Sequence, residues 1–427
     1  MAQGALPGFR DFYPDDFAQR AYIIDVWREV LGRYAFVEYD GPPLEPLDLY
    51  RKKSGDELVG QLYSFVDKGA REVAMRPEMT PTFARMVAAR ANALRKPVRW
   101  FAIPQLFRYE RQQKGRLREH FQLNADIVGE AGVAADAELL SVTIDVMRAF
   151  GLTSADVKAR VSDRRLLQAL LEHAGVEADS LPAVYAAIDK LGREPTDVSR
   201  SKLEKITGSR DVAGSVVDVV ECRDLAGLIV RYGGVPELGA HVGRMEEYFA
   251  YLQALGLAGW VQLDLSIVRG LAYYTGIVFE LFDTNGEFRA ICGGGRYDTL
   301  LRSLGGVDLP AVGFGMGDVV LGDLLRARGL LQPAPASTDF WVASDDHTMI
   351  ADVMSVATKL RGCNRSVEYA LRPQKLARQL KTAASAGARH AVLLKRERYQ
   401  LGEVTVRDLD KGDERVMALE ELISSQQ

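Results

Sequence analysis

The sequence predicts an α+β protein of two domains, and three observations carry that reading. Apolar stretches with strand character, several ending in turn signals or glycine rows, stand apart from stretches with helical spacing. Between about 160 and 240 the strand patterns give way to short helices with glycine stops, a helical insertion in a β-rich domain spanning 1–329. A linker follows at 330–338, with two prolines, small residues and no periodicity. Beyond it strands and helices alternate over 339–427, the pattern of a small α/β domain.

Each element has its own signal. The first helix is expected over 19–34, with Ile23, Ile24, Trp27, Val30 and Leu31 at helical spacing. The strand AFVEY follows and stops at Gly41-Pro42-Pro43. LYSFVD (62–67) and EVAMRP (72–77) read as strands joined by a Lys68-Gly69 turn. A helix starts near Thr80-Pro81, where proline suits the first turn. The strand WFAIPQLFRYE, a basic loop and the strand HFQLNADIVGE come next, then an amphipathic helix over 137–151. After the insertion, WVQLDLSIVRG, GIVFELFD, FRAICGGG and PAVGFGMG read as strands. In the last domain FWVAS, RSVEYA, AVLLK and EVTVRDL are strands, with helices near 348–361 and 373–386.

Composition narrows the function classes. Lys plus Arg number 54 against 58 Asp plus Glu, a net charge of −4, so any nucleic-acid contact must use local patches. One such patch is the stripe Arg372, Lys375, Arg378 and Lys381, able to meet a phosphate backbone without specifying sequence. Cys222, Cys292 and Cys363 form neither a disulfide framework nor a metal knuckle, which suits a reducing compartment. The five histidines are dispersed, and no metal site of protein ligands alone is expected. No apolar leader or membrane-length run is present, so the expected location is cytoplasmic, with no membrane partner.

The chemistry concentrates in a few windows. FRYERQQKGRLREHFQLNAD (107–126) carries Arg108, Arg111, Lys114, Arg116 and Arg118 between apolar strands. Arg108 and Glu110 share one strand face, and Gln122, Asn124 and Asp126 share a face of the returning strand, because side chains alternate with period two. Cations beside an acid and an amide row suit a zwitterion next to a polyphosphate, since guanidinium binds phosphate bidentately and carboxylate holds amines. MRPEMTPT places Glu78 and Thr80 at a strand-to-helix junction, as a helix cap or a ligand group. GGGRYD and GFGMG fit neither a P-loop nor a dinucleotide fingerprint; their glycines admit a flat ligand or a close backbone approach. SIVRGLAYYTGIVFEL sets Arg269, Tyr273 and Tyr274 in apolar surroundings, costly for an arginine without an anionic partner.

Together these residues resemble the class II aminoacyl-tRNA synthetases, specifically the histidyl-tRNA synthetase family, nearly end to end. Helix 19–34 with the strand after it and Pro42 is similar to motif 1, and FRYERQQKGRLREHFQ to motif 2. RGLAYYTG resembles the histidine-specific signature, and CGGGRYD the strand that follows it. PAVGFGMG resembles the start of motif 3. VEYALRPQKLARQLKTA with LGEVTVRDL is similar to the anticodon-binding domain. The resemblance implies an antiparallel catalytic sheet flanked by helices. It also implies ATP-dependent, AMP-forming activation of L-histidine, transfer to tRNA(His), Mg²⁺, and a homodimer formed through motif 1. By matching position, Arg108 and Arg269 would approach the α-phosphate of ATP from opposite sides, with Glu110 near the adenine amino group and Arg116 at the β- and γ-phosphates. Glu78, Thr80 and Gln122 would hold the substrate amine. Asp126 and Tyr274 would read the imidazole, with Tyr273 lining the pocket. Arg111 and Gln113 would contact the acceptor stem.

Two departures stand out. The motif 3 arginine, holder of the γ-phosphate, is replaced by Val320 after Asp318 and Val319, so its charge falls to Arg116, Arg118 or Mg²⁺. Ala272 stands where many members have aspartate. GLAYYTG paired with GMGDVV resembles a plant-organelle-like branch. Two alternatives remain: the histidine-sensing regulatory subunit of ATP phosphoribosyltransferase, which lacks the C-terminal domain, and a class II ligase for another amino acid.

Overall fold

A computed structural model describes residues 4–51, 60–109, 115–191, 194–268, 273–331 and 338–426. The chain divides into two compact units, Met1–Gln332 and Pro333–Gln427.

In the first unit the opening helix runs over Pro14–Arg33, starting earlier than its apolar spacing predicts. Pro14 supplies the fixed φ of a first helical turn, and Asp15 and Asp16 complement the positive helix end. Its buried face is Ile23, Trp27, Val30 and Leu31, while Ile24 is only half-buried. The strands that follow are β1 (Val37–Glu38), β2 (Leu44–Pro46), β3 (Ser64–Val66) and β4 (Glu72–Met75). The β3–β4 turn is held by the Asp67 carboxylate, which accepts from the amides of Gly69 and Arg71. The strand expected over 100–110 is interrupted at Ile103-Pro104, giving β5 (Val98–Ala102) and β6 (Gln105–Phe107), both paired with β7 (Glu119–Val128). Proline cannot donate to the ladder, and the Pro104 carbonyl takes the Gln122 amide instead.

Further on come β8 (Val157–Asp163), β9 (Val261–Leu263), β10 (Ile277–Asp283), β11 (Cys292–Arg296) and β12 (Ala311–Gly317). The main sheet has nine strands among the described residues, in the order β1-β5-β7-β12-β11-β10-β8-β9, with β6 beside β7. Its interior pairs are antiparallel, as the resemblance implies, but the edge pairs β1–β5 and β8–β9 are parallel. β2, β4 and β3 form a separate antiparallel sheet.

Helix Val133–Ala149 differs from expectation by being buried almost all round, from Val133 through Met147. Its core burial includes Asp136, which is stabilised by an ion pair with the fully buried Arg296 at 2.6 Å. Arg296 also donates to the carbonyls of Glu130 and Gly132 and to Asp298. Among the described residues six α-helices, Arg164–His173 through Pro236–Ala254, fill most of the stretch between β8 and β9. Several are capped by side chains: Asp163, Ser209 and Asp224 accept from first-turn amides.

SIVRG is not strand as far as the described residues reach. The chain leaves β9 at Leu263, and the Asp264 carboxylate takes both the amide and the hydroxyl of Ser266, forming a turn.

Among the described residues the second unit has a five-stranded sheet: β13 (Thr338–Ser344), β14 (Val367–Tyr369), β15 (Ala388–Leu394), β16 (Glu403–Asp408) and β17 (Glu414–Ala418). Their order is β14-β13-β15-β16-β17, parallel on the first side and antiparallel on the other. Helices Ile350–Gly362 and Leu376–Ser385 pack against it, close to their expected positions.

Candidate active site

On β7, alternation sends Gln122, Asn124 and Asp126 to one face, where a two-sided apolar strand would carry hydrophobes. Opposite them on β12 stand Gly317, Gly315 and Gly313, in register with Gln122, Asn124 and Asp126. The row continues across the sheet from Gly315 to Gly293 on β11 and Glu280 on β10. Absent side chains along that row leave the sheet face open, and a cavity of about 1010 Å³ lies over it. That is the upper end of the range for small-molecule sites.

The glycines also make room for protein side chains. A Cβ on Gly313 would sit 2.0 Å from Oδ1 of Asp126 and 3.0 Å from the Tyr297 hydroxyl. A Cβ on Gly315 would meet the Gln122 amide at 3.0 Å. The sequence suggests a close backbone approach at these glycines; at Gly313 and Gly315 what approaches is instead the polar side chains of β7 and Tyr297.

The acid end of the cavity is tightly organised. Asp126, buried at 4 % exposure, accepts a hydrogen bond from the Tyr297 hydroxyl. Tyr273 packs against both Tyr274 and Tyr297, at ring-centroid distances of 5.0 and 5.6 Å. Burial, with the neighbouring carboxylates, holds all three phenols above their ordinary range, so they stay protonated and able to donate. Glu78 lies buried at the junction leading into helix Thr80–Arg90. Thr80 does not cap that helix: Met79 holds the cap position, with no side-chain cap bond, and Thr80 lines the cavity beside Glu78 and Tyr273.

The other end is cationic. Arg108 donates from Nε to the Pro77 carbonyl at 2.9 Å, which steers its guanidinium along the cavity wall. Arg116 and Arg289 join it in the lining, together with Gly115, Val319 and Val320. His120 lines the same wall; burial, then the charges of Arg108 and Arg10, pushes it down to about 3. It is therefore neutral at physiological pH.

Glu78, Thr80, Arg108, Arg116, Gln122, Asp126, Tyr273 and Tyr274 thus share one cavity. Arg269, Glu110, Arg111 and Gln113 lie outside the described residues, as does Ala272. Arg118 turns elsewhere: its guanidinium lies over the Tyr109 ring at 4.3 Å, and its stem packs on Gly8. Sequence reasoning missed Tyr297, Glu280, Arg289 and His120. Tyr297 and Arg289 flank the glycine run of GGGRYD, which marks the cavity without saying which neighbours line it.

Asp318 explains part of the departure after GMG. It is buried at the start of helix Asp318–Ala327, accepts the Phe121 amide at 2.9 Å and pairs with Arg10 at 2.9 Å. Arg10 also grips Glu119 at 2.6 Å, so the N-terminal segment, β7 and this helix are tied together. Among the described residues no group of three or more His, Cys, Asp or Glu side chains is gathered to hold a metal ion.

Comparison with known proteins gives consistent matches. A histidyl-tRNA synthetase family model matches residues 8–317, and an anticodon binding domain model matches residues 340–425. The chain is 45% identical over 414 residues to a histidine–tRNA ligase of Opitutus terrae, covering 95% of this chain and 93% of that one. It is 40% identical over 415 residues to the chloroplastic/mitochondrial histidine–tRNA ligase of Arabidopsis thaliana, covering 97% and 85%. In fold it is similar to a histidyl-tRNA synthetase crystal structure from Nostoc sp. PCC 7120, with TM-score 0.85, 22% identity and coverage of 100% and 99%.

Proposed function

The chain belongs to the histidyl-tRNA synthetase family, and from that premise we propose how its cavity carries out the family's reaction. L-Histidine is activated with ATP to histidyl-adenylate and pyrophosphate, and the histidyl group then passes to tRNA(His).

The first step brings a carboxylate against a phosphate, so cations must sit where charge develops. Arg108 takes the α-phosphate from the motif 2 side, and Arg269 approaches it from the other. Arg116 takes the β- and γ-phosphates, and Glu110 the adenine amino group. Glu78, Thr80 and Gln122 hold the substrate amine. Asp126 accepts from one imidazole nitrogen and Tyr274 meets the other, with Tyr273 closing the pocket. A competitor lacking those nitrogens leaves buried polar groups unpaired, which is a strong basis for rejection. The single observation supporting this reading is the polarity of one cavity: the Asp126–Tyr297 pair and Glu78 at one end, Arg108 and Arg116 at the other. Mg²⁺ would come with ATP rather than rest on a carboxylate cluster of the described residues, and would add to the positive charge that Arg108 and Arg116 offer the phosphates.

Arg111 and Gln113 meet the acceptor stem, and the last domain meets the anticodon. Homodimerisation runs through the first helix and β1, a sheet-edge strand whose Val37 is 60% exposed. Among the described residues no helix is long and apolar enough to cross a membrane, and the reading places the protein in the cytoplasm.

Charging of a tRNA(His) transcript with labelled histidine tests the assignment. Arg108→Ala should lower the single-turnover rate of adenylate formation by roughly a hundredfold or more, with histidine affinity within a few-fold. Equal losses in both would reduce Arg108 to a shaper of the pocket.

A further inference from the structure

The cationic end of the cavity contains an arginine that the family resemblance does not assign. Arg289 lies in the connection between β10 and β11 and lines the cavity beside Arg116 and Val320. An ideal Cβ on Gly115 would be 3.4 Å from Cγ2 of Val320 and 3.9 Å from Cδ of Arg289. The two side chains therefore border the same point in the cavity wall, next to Arg116 in the chain.

The connection that carries Arg289 is fixed at both sides. The Asp283 carboxylate accepts from the amides of Glu287 and Phe288 at 2.9 and 3.0 Å, and the Ile291 amide donates to Leu281 at 2.7 Å. Asp283 itself is buried. A turn so constrained fixes where the Arg289 side chain leaves the backbone, at the cavity it lines. Arg289 is exposed, and the cavity it lines also holds Arg108 and Arg116. Such an arrangement suits the most highly charged, most solvated part of a nucleotide.

We propose that Arg289 binds the terminal phosphates of ATP in this chain, supplying from the β10–β11 connection the charge that Val320 cannot supply from the helix following β12. Arg118, which the sequence also offers for that charge, faces the N-terminal segment instead. The proposal rests on the synthetase reading above and adds to it which residue holds the end of the nucleotide.

The test is ATP–pyrophosphate exchange with the full-length protein, Mg²⁺-ATP and histidine. Arg289→Ala is expected to raise KM for ATP about tenfold or more, with KM for histidine within about twofold. Affinity for a non-hydrolysable histidyl-adenylate analogue, which has no β- or γ-phosphate, should stay within about twofold. Arg289→Lys should fall between, because an ammonium keeps charge but not the bidentate fork. Adding Val320→Arg to Arg289→Ala should recover part of the ATP affinity. An unchanged KM for ATP in both Arg289 variants overturns the proposal, as does an equal loss for the adenylate analogue. Absence of histidine-dependent exchange in the unaltered protein would instead overturn the synthetase reading, so the two failures are distinguishable.

Discussion

Gly313 shows how one missing side chain can define a specificity pocket. Asp126 rests on it so closely that a Cβ at that position would stand 2.0 Å from the carboxylate oxygen. The neighbouring Tyr297 hydroxyl, donating to Asp126, would be met at 3.0 Å. Gly313→Ala should therefore displace the carboxylate and raise KM for histidine by roughly tenfold or more while KM for ATP moves little. Steady-state exchange kinetics check this, alongside a thermal melt to show the fold is intact. An alanine variant with unaltered histidine KM would mean that Asp126 does not read the substrate. Gly313 and Asp126 are paired across β12 and β7, and Tyr297 is 171 positions from Asp126 along the chain. The polar row on β7 is legible in sequence because alternation alone places it on one face. Tyr297 is not, because its partner is supplied by tertiary structure.

At the scale of elements, the sheet is held against helix Val133–Ala149 by the buried Arg296–Asp136 pair. Removing one partner leaves an uncompensated charge in the core, so Arg296→Met should cost about 3–5 kcal/mol, read by denaturant unfolding. The double variant Arg296→Met, Asp136→Leu should lose much less, since apolar replacement of both members is often nearly neutral. Equal losses in the single and double variants would mean that the carbonyl contacts to Glu130 and Gly132 matter more than the pair. Sequence reasoning locates these elements well where periodicity or glycine stops are strong, as in the insertion helices and the α/β strands. It fails at Ser266–Val268, where apolar residues suggest strand but the Asp264 carboxylate folds the chain into a turn around Ser266. It fails again at WFAIPQLFRYE, where one proline divides a strand into β5 and β6. Helix 137–151 reads as amphipathic because sequence carries no sign that its polar Ser141 and Thr143 are buried along with its hydrophobes.

For the whole molecule, the two compact units predict separable activities. A chain ending at 332 retains the cavity and the sheet beneath it, because every residue lining the cavity lies before that point. It should keep histidine-dependent adenylate formation within a few-fold of the full chain, while tRNA charging falls by roughly tenfold or more as binding contacts are lost. Intact charging by the shortened protein would remove the anticodon-binding role from the last unit. The exposed stripe of Arg372, Lys375, Arg378 and Lys381 there should make the affinity of the full chain for tRNA fall with added salt. The central claim is that the polar cavity activates histidine, and the most direct measurement is ATP–pyrophosphate exchange with each standard amino acid in turn. Exchange with histidine alone is the predicted result. Exchange driven equally by another amino acid, or no exchange with any, would contradict it.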